Sequence, residues 1–252
     1  MAGAAVRVAV FYGNNRHGTT WKLTQIFLSA LAAQEVTEFF LPRDMDAPCT
    51  GCMRCIAGEE ALCPHAGRMA PLRAAMERAD LIVLASPVYV MGPSGAMKSF
   101  LDHLAWTWMV HRPQEAMFSK VGVVISTAAG PCTGKVKRAL KEQFYYWGAA
   151  RTYAWGEAVG GGWDYLAPGR RAALERRAAR LAGKCARAAG RAKPGPATRA
   201  FFTFMVHMQR RGWSGQERDY WAAQGWMDGA RPWRQGGSNH GKEKSDQAAR
   251  TD

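Results

Sequence analysis

Residues 81–90, LIVLASPVYV, carry no charge and sit about one third of the way along a 252-residue chain. Ten residues are too few to cross a bilayer. The run is continuous rather than alternating, so it suits a strand covered on both faces, the kind found in parallel sheets flanked by helices. The sequence supplies the partners. VRVAVFYG (6–13), EVTEFFLP (35–42), VGVVIST (121–127) and RTYAWGEAVG (151–160) read as four further strands. Helical spacing separates them. Leu23, Ile26, Phe27, Ala30 and Leu31 share one face of 19–34, and Met69, Leu72, Met76 and Ala79 share one side of 69–80. The stretch 94–108 reads as a helix that buries Met97, Phe100, Leu101 and Leu104, and 134–148 reads as another. Five strands alternating with helices imply an α/β fold with a five-stranded parallel sheet. In such sheets ligands bind beyond the carboxyl ends of the strands, so the loops there carry the functional reading.

After Asp164 the character changes. A helix over 170–192 has a narrow apolar stripe (Leu174, Ala178, Leu181, Cys185) against a broad basic face. KPGPAT (193–198) breaks it. Trp213, Tyr220, Trp221, Trp226 and Trp233 are too many aromatics for a solvated tail, so they are expected to pack on the chain or on a second copy of it, as in a homo-oligomer. From Gln235 onward no apolar anchor remains and disorder is expected. The expected organisation is a sheet domain over 1–192, an aromatic-rich helical appendage over 193–234 and a tail over 235–252.

Residues 1–165 contain 16 Lys/Arg and 13 Asp/Glu, whereas 166–252 contain 18 and 7. The net charge of +14 is therefore a C-terminal property. It would attract anionic lipid or nucleic acid, and FFTFMV (201–206) beside arginines suits a membrane surface. No recognition motif accompanies it, so no specific nucleic acid is expected. With no apolar run near 18 residues and no signal-peptide pattern, the expected compartment is the cytoplasm, where thiols stay reduced.

Three loops follow strands one, three and four. GNNRHGTTWK (13–22) matches neither a P-loop nor G-x-G-x-x-G. It offers what a phosphate monoester needs: Thr19 and Thr20 hydroxyls at a helix N-terminus, the Asn14 amide and the Arg16 cation, with His17 as a further donor. Alternatively it is a threonine N-cap beside a loop arginine. In SPVYVMGPSGAMKSFLDH (86–103), Tyr89, Val90 and Met91 present an apolar surface and Ser94 caps the next helix. STAAGPCTG (126–134) is built of small residues that leave room for a planar ring.

Together these loops resemble the flavodoxin-like NAD(P)H-dependent flavin reductases. SPVYVMGPSGAMKSFLDHLAW is the most specific stretch, and FYGNNRHGTTWKL is similar to the family's phosphate loop, where many members have serine in place of Asn14 and proline in place of Asn15. The likeness runs from residue 6 to about 160, and DYWAAQGW (219–226) extends it towards one branch of the family. It implies a flavodoxin-like doubly wound sheet and an FMN whose phosphate lies at Asn14, Arg16, Thr19 and Thr20. The ring would lie against Pro87, Val88, Tyr89, Val90 and Met91, with Thr127, Ala128, Ala129 and Gly130 on its polar rim. It also implies NAD(P)H as hydride donor, with no side-chain acid or base required.

PCTGCMRCIAGEEALCPH (48–65) places Cys49, Cys52, Cys55 and Cys63 in a C-x2-C-x2-C-x7-C spacing after strand two, near the same sheet edge. Three thiolates at two-residue gaps suit one face of a [4Fe–4S] cube, and Cys63-Pro64 echoes the ferredoxin ending. Iron-sulfur flavoproteins, a branch of the same family, resemble this arrangement. Unligated thiols shaping a pocket and a zinc site remain open alternatives, and a disulfide is the least suited to a reducing compartment. Cys132 and Cys185 read as packing residues, and His65, His103, His111 and His207 as structural or exposed. The resulting functional expectation is an FMN-dependent oxidoreductase passing electrons from NAD(P)H to a quinone, a flavin, a nitro compound or a protein. The alternatives are a non-enzymatic flavodoxin-type carrier, disfavoured by the basic charge, and a basic surface-binding protein.

Overall fold

The computed structural model of the chain describes residues 6–234. The expected tail over 235–252 lies outside the described residues. β1 (Arg7–Tyr12), β2 (Glu35–Phe40), β3 (Leu81–Tyr89), β5 (Val121–Ala128) and β6 (Arg151–Ala158) form a parallel sheet in the order β2-β1-β3-β5-β6. A two-residue strand β4 (Gly92–Pro93) turns back antiparallel on β3, pairing Val88 with Pro93 and Tyr89 with Gly92. The strand order reverses between β1 and β3, which opens a crevice at the carboxyl edge there.

Alternate faces of the sheet explain the two main cores. Phe11, Ile82, Leu84 and Val124 point to one side, where they meet α3 (Ala66–Arg78), α4 (Gly95–Asp102) and α5 (Thr133–Tyr146). Val8, Val10, Val83, Val123 and Ile125 point to the other, against α1 (Thr19–Leu31) and α6 (Pro168–Ala188). Each such fully buried side chain contributes about 1.5–3 kcal/mol of transfer free energy. A buried carboxylate ties α6 to the sheet. Glu157 on β6 accepts from Trp155 Nε1 at 2.7 Å, from Arg177 at 2.6 Å and from Arg170 at 2.5 Å.

Three segments differ from the sequence reading. β2 ends at Phe40 because Leu41-Pro42 starts the short helix α2 (Leu41–Asp44), with proline in its first turn. α4 stops at Asp102 rather than 108, although the apolar spacing continues. Leu104 N–H bonds back only three residues, to Leu101, and Ala105–Thr107 is a 3-10 turn. Met109 and Phe118 are thereby drawn into a third core instead of extending the helix. On α6 the buried stripe runs through Ala182 rather than Leu181.

The third core belongs to α7 (Pro196–Arg210) and α8 (Gly215–Ala223). Phe202, Met205, Val206, Trp221 and Trp226 are buried there around Met109 and Phe118. The aromatics of this region are thus largely absorbed within the chain, with Trp213 left exposed. The apolar face of FFTFMV that a lipid surface would need is mostly turned inward, and only Phe204 of its larger side chains stays open. Among the described residues no helix is long and apolar enough to cross a membrane.

Candidate functional site

The loop after β1 is set by a close approach. Gly13 N–H donates to Ala85 O at 2.8 Å, and a β-carbon on Gly13 would lie 2.4 Å from Ser94 Oγ. Only glycine lets the chain leave β1 so near the start of α4. Helix α1 is then capped by Gly18, with no side-chain cap hydrogen bond. The alternative reading of a threonine N-cap is corrected, since neither Thr19 nor Thr20 occupies the cap. The leading N–H groups of a thirteen-residue helix have no side-chain acceptor, and the positive end of its dipole faces the crevice. Thr19 Oγ1 accepts the Trp163 N–H at 3.1 Å and keeps its own proton for donation. Thr20 Oγ1 lies 2.6 Å from Thr127 Oγ1, so one of these two hydroxyls donates to the other and the second retains a free hydrogen. This buried pair fixes the start of α1 against the end of β5.

The crevice, of about 640 Å³, is lined at one end by Asn14, Arg16, Thr19 and Thr20, and at the other by Pro87, Val88, Tyr89, Thr127, Ala128 and Ala129. That volume lies within the roughly 300–1,000 Å³ typical of small-ligand sites. Val90, Met91 and Gly130 stand outside the lining. Val90 and Met91 form the tip of the β3–β4 hairpin with φ of 47° and 63°, a left-handed pair suited to Asn-Gly and costing roughly 1–2 kcal/mol per residue for other types. Tyr89, Val90 and Met91 are all exposed, making an apolar lip above the crevice. Asn14 Nδ2 donates to Tyr89 OH at 3.5 Å and links the two loops.

A fourth wall is absent from the sequence reading: Val159, Gly160, Gly161, Gly162, Trp163 and Asp164. Gly160 and Gly162 hold positive φ, so the chain after β6 folds back over α1. Lys22 closes the rim by pairing with Asp164 at 3.0 Å. His17 also lines the crevice and stacks on Trp21 at 4.6 Å between ring centroids.

Cys49, Cys52, Cys55 and Cys63 line a second pocket, of about 80 Å³, together with His65, Arg73, His103 and Trp106. This pocket stands between the start of α3, where His65, Ala66 and Met69 line it, and the far end of α4. It includes Asp102 and His103 at the C-terminal end of α4, whereas Ser94 at the N-terminal end of that helix borders Gly13. Ser99 Oγ donates to Ala47 O at 3.1 Å and ties the chain just before the cysteine loop to α4. The two pockets share no lining residue.

The four thiols crowd one another. Burial pushes the Cys55 thiol up, and the neighbouring Cys49, Cys63 and Cys52 add to the shift. The exposed Cys52 thiol is pulled down, chiefly by the backbone N–H of Arg54. A cationic centre would relieve the repulsion among the thiolates. Met53, at φ 59°, makes the left-handed bend that turns Cys52 and Cys55 to the same pocket. His65 and His103, read from sequence as unrelated, come together here. Their ring nitrogens and Cys63 Sγ all lie within 4.8 Å of one another. His103 Nδ1 is 2.8 Å from Ser99 O and so carries the proton, which leaves Nε2 to accept from His65 Nδ1 at 2.9 Å. Burial lowers the His103 pKa, keeping the ring neutral as this pairing requires.

The model of a family described as NADPH-dependent FMN reductase matches residues 6–156. An iron-sulfur flavoprotein of Methanocaldococcus jannaschii is 37% identical over 87 residues, 34% of this chain and 44% of that protein. An iron-sulfur flavoprotein of Archaeoglobus fulgidus is 29% identical over 99 residues, 38% and 44% of the respective lengths. The matched span thus covers less than half the length of either curated relative. Among solved structures, an oxidoreductase from Corynebacterium diphtheriae is similar with a TM-score of 0.54 at 17% identity, covering 74% of this chain and 98% of that one. An NAD(P)H:quinone oxidoreductase from Methanothermobacter marburgensis is similar with a TM-score of 0.53 at 14% identity, covering 71% and 95%. At such identities the likeness is one of fold.

Proposed function

The chain belongs to the NADPH-dependent FMN reductase family, and from that premise we propose that it is an FMN-dependent NAD(P)H oxidoreductase whose four-cysteine pocket holds a [4Fe–4S] cluster. The observation that carries the flavin reading is the convergence of the loops after β1, β3, β5 and β6 on one crevice with an uncapped helix N-terminus at its end.

The residues present fit the cofactor. Arg16 is exposed and paired with no carboxylate among the described residues, and beside it the α1 N–H groups and the Thr19 hydroxyl can surround a phosphate dianion. Ala128 and Ala129 leave space where larger side chains would fill the crevice. Tyr89 walls it, and the Thr20–Thr127 hydroxyl pair holds the two ends in register. When bound, FMN supplies acceptance of a hydride and release of its electrons singly or in pairs, and a cluster would supply one-electron storage. The protein's own contribution is positioning. The Trp163 loop covers one side and excludes water, while the Tyr89–Met91 lip leaves the other side open to the nicotinamide and to the electron acceptor.

For the cysteines, the donor set itself supports a cluster over a single metal ion. Four sulfurs share one pocket, while the nitrogens through which His65 and His103 face each other are committed to their mutual hydrogen bond. The acceptor is expected to be a small quinone, flavin or nitro compound, or a one-electron protein partner.

The test is an anaerobic purification with FMN, iron and acid-labile sulfide measured per chain, followed by NADPH titration. A stoichiometric flavin that bleaches on NADPH addition supports the oxidoreductase. Protein that stays colourless with added FMN refutes it. Flavin without iron or sulfide refutes the cluster alone.

A further inference from the structure

The region after α4 joins the C-terminal helices to the cysteine loop through three consecutive residues. On one side, α8 grips them. Trp221 Nε1 donates to His111 O at 2.6 Å, Tyr220 OH donates to Pro113 O at 2.7 Å, and the buried Glu217 carboxylate pairs with His111 Nδ1. On the other side, the residue between them reaches into the cysteine loop. Arg112 is 6% exposed, donates to Ile56 O at 3.2 Å and to Cys55 O, and pairs with Glu60 at 3.4 Å. Its guanidinium also lies over the ring of Trp106, a wall of the cysteine pocket, at 5.4 Å. α8 touches the loop directly as well, since the Gln216 side chain lies 3.4 Å from where a β-carbon on Gly58 would stand.

We propose that Arg112 is the positioning residue of the cysteine loop, and that α8 holds it there, making the C-terminal helices a clamp on the metal-binding loop. The loop cannot hold itself in this way. Cys49 and Cys52 are exposed, and the backbone hydrogen bonds of residues 53–59 are local turns. A rigid, buried, multiply bonded guanidinium aimed at the carbonyl of a candidate ligand fixes where that ligand's sulfur sits, and a lysine has no planar fork with which to do so. The assignment rests on the cluster reading for its metal readout. It does not rest on it for the loop's geometry.

The test uses the full chain with Arg112→Lys and, remote from the loop, Trp221→Phe, which removes one donor to His111 O and little volume. Iron release from the loaded protein to a ferrous chelator is timed, the reduced protein is examined by electron paramagnetic resonance, and FMN per chain is the control for folding. Arg112→Lys is expected to release iron roughly tenfold faster, the factor of one charge-assisted hydrogen bond, with a shifted resonance. Trp221→Phe shifts both readouts the same way but less, and the double variant is no faster than Arg112→Lys alone, because both act through one contact chain. Wild-type release rates and spectra in both single variants overturn the clamp. If the wild type holds no iron, the cluster reading fails. The clamp is then decided by iodoacetamide labelling of Cys55 in the same proteins: faster labelling in Arg112→Lys sustains it and an unchanged rate overturns it. Should Arg112→Lys lack FMN, Trp221→Phe carries the decision by the same criteria.

Discussion

Substituting Gly13 tests the physical claim on which the crevice depends, namely that β1 exits within van der Waals contact of the cap of α4. An alanine β-carbon would sit 2.4 Å from Ser94 Oγ, 3.2 Å from Ser86 Oγ and 3.3 Å from Met97 Cβ. Ser94 cannot yield freely. Its Oγ accepts the Met97 N–H at 3.3 Å, capping α4, and its N–H donates to Ser86 Oγ at 3.0 Å. Overpacking of this kind costs about 1–3 kcal/mol, and a displaced N-cap about 1 kcal/mol more. The backbone of Gly13 is not left-handed, so alanine recovers about 0.4–1 kcal/mol by restricting the unfolded chain. The expected net loss is therefore about 1–3.5 kcal/mol. The assay is urea unfolding of wild type, Gly13→Ala, Ser94→Gly and the double variant. Ser94→Gly removes the colliding atom and retains an acceptable cap residue. Gly13→Ala is then expected to cost at least about 1 kcal/mol less in the Ser94→Gly background. Equal costs in both backgrounds would show that the strain lies elsewhere.

Further expectations concern the two sites and one buried lysine. Arg16→Ala and Thr19→Val should each weaken FMN binding roughly tenfold in a fluorescence titration while leaving riboflavin, which lacks the phosphate, unaffected. An equal loss for riboflavin would place those residues away from the phosphate. Cys63→Ser should abolish bound iron with FMN per chain unchanged, and retained iron would remove Cys63 from the ligand set. Lys120 is 5% exposed and donates to Glu77 O at 2.7 Å and Ala79 O at 2.5 Å, and burial pushes its pKa down to about 8 from 10.5. Because the folded value is the lower one, the unfolded chain binds the extra proton between these values. Wild-type stability should thus rise with pH from 8 to 10.5, relative to Lys120→Met, by about 3 kcal/mol at most. Parallel pH profiles of the two proteins would contradict this.

The strands and the three loops after β1, β3 and β5 were legible because their information is local: uninterrupted apolar runs, and glycine and threonine at fixed offsets from them. The wall formed by Gly160–Asp164 was not, since a glycine run after the last strand is equally a plain turn until α1 is seen beneath it. His65 and His103 meet across 38 residues of chain, a tertiary contact that leaves no mark in residue spacing. The same holds for Arg112, whose partners at positions 55 and 56 are carbonyl oxygens. The end of α4 was misread because Leu104–Met109 keeps a helical rhythm while serving a different core.

The crevice draws its walls from residue 14 to residue 164, and the central strands that position them pair partners as distant as Val8 and Leu81. No fragment of the chain can hold the ligand before those distant strands have met. Binding energy therefore accrues to the finished molecule alone, about 2.7 kcal/mol when the ligand is at a hundred times its dissociation constant. Vitamin supply thereby becomes a determinant of lifespan for freshly synthesised copies. In a riboflavin-starved culture, proteolysis should thin the population of this polypeptide while its transcript remains steady.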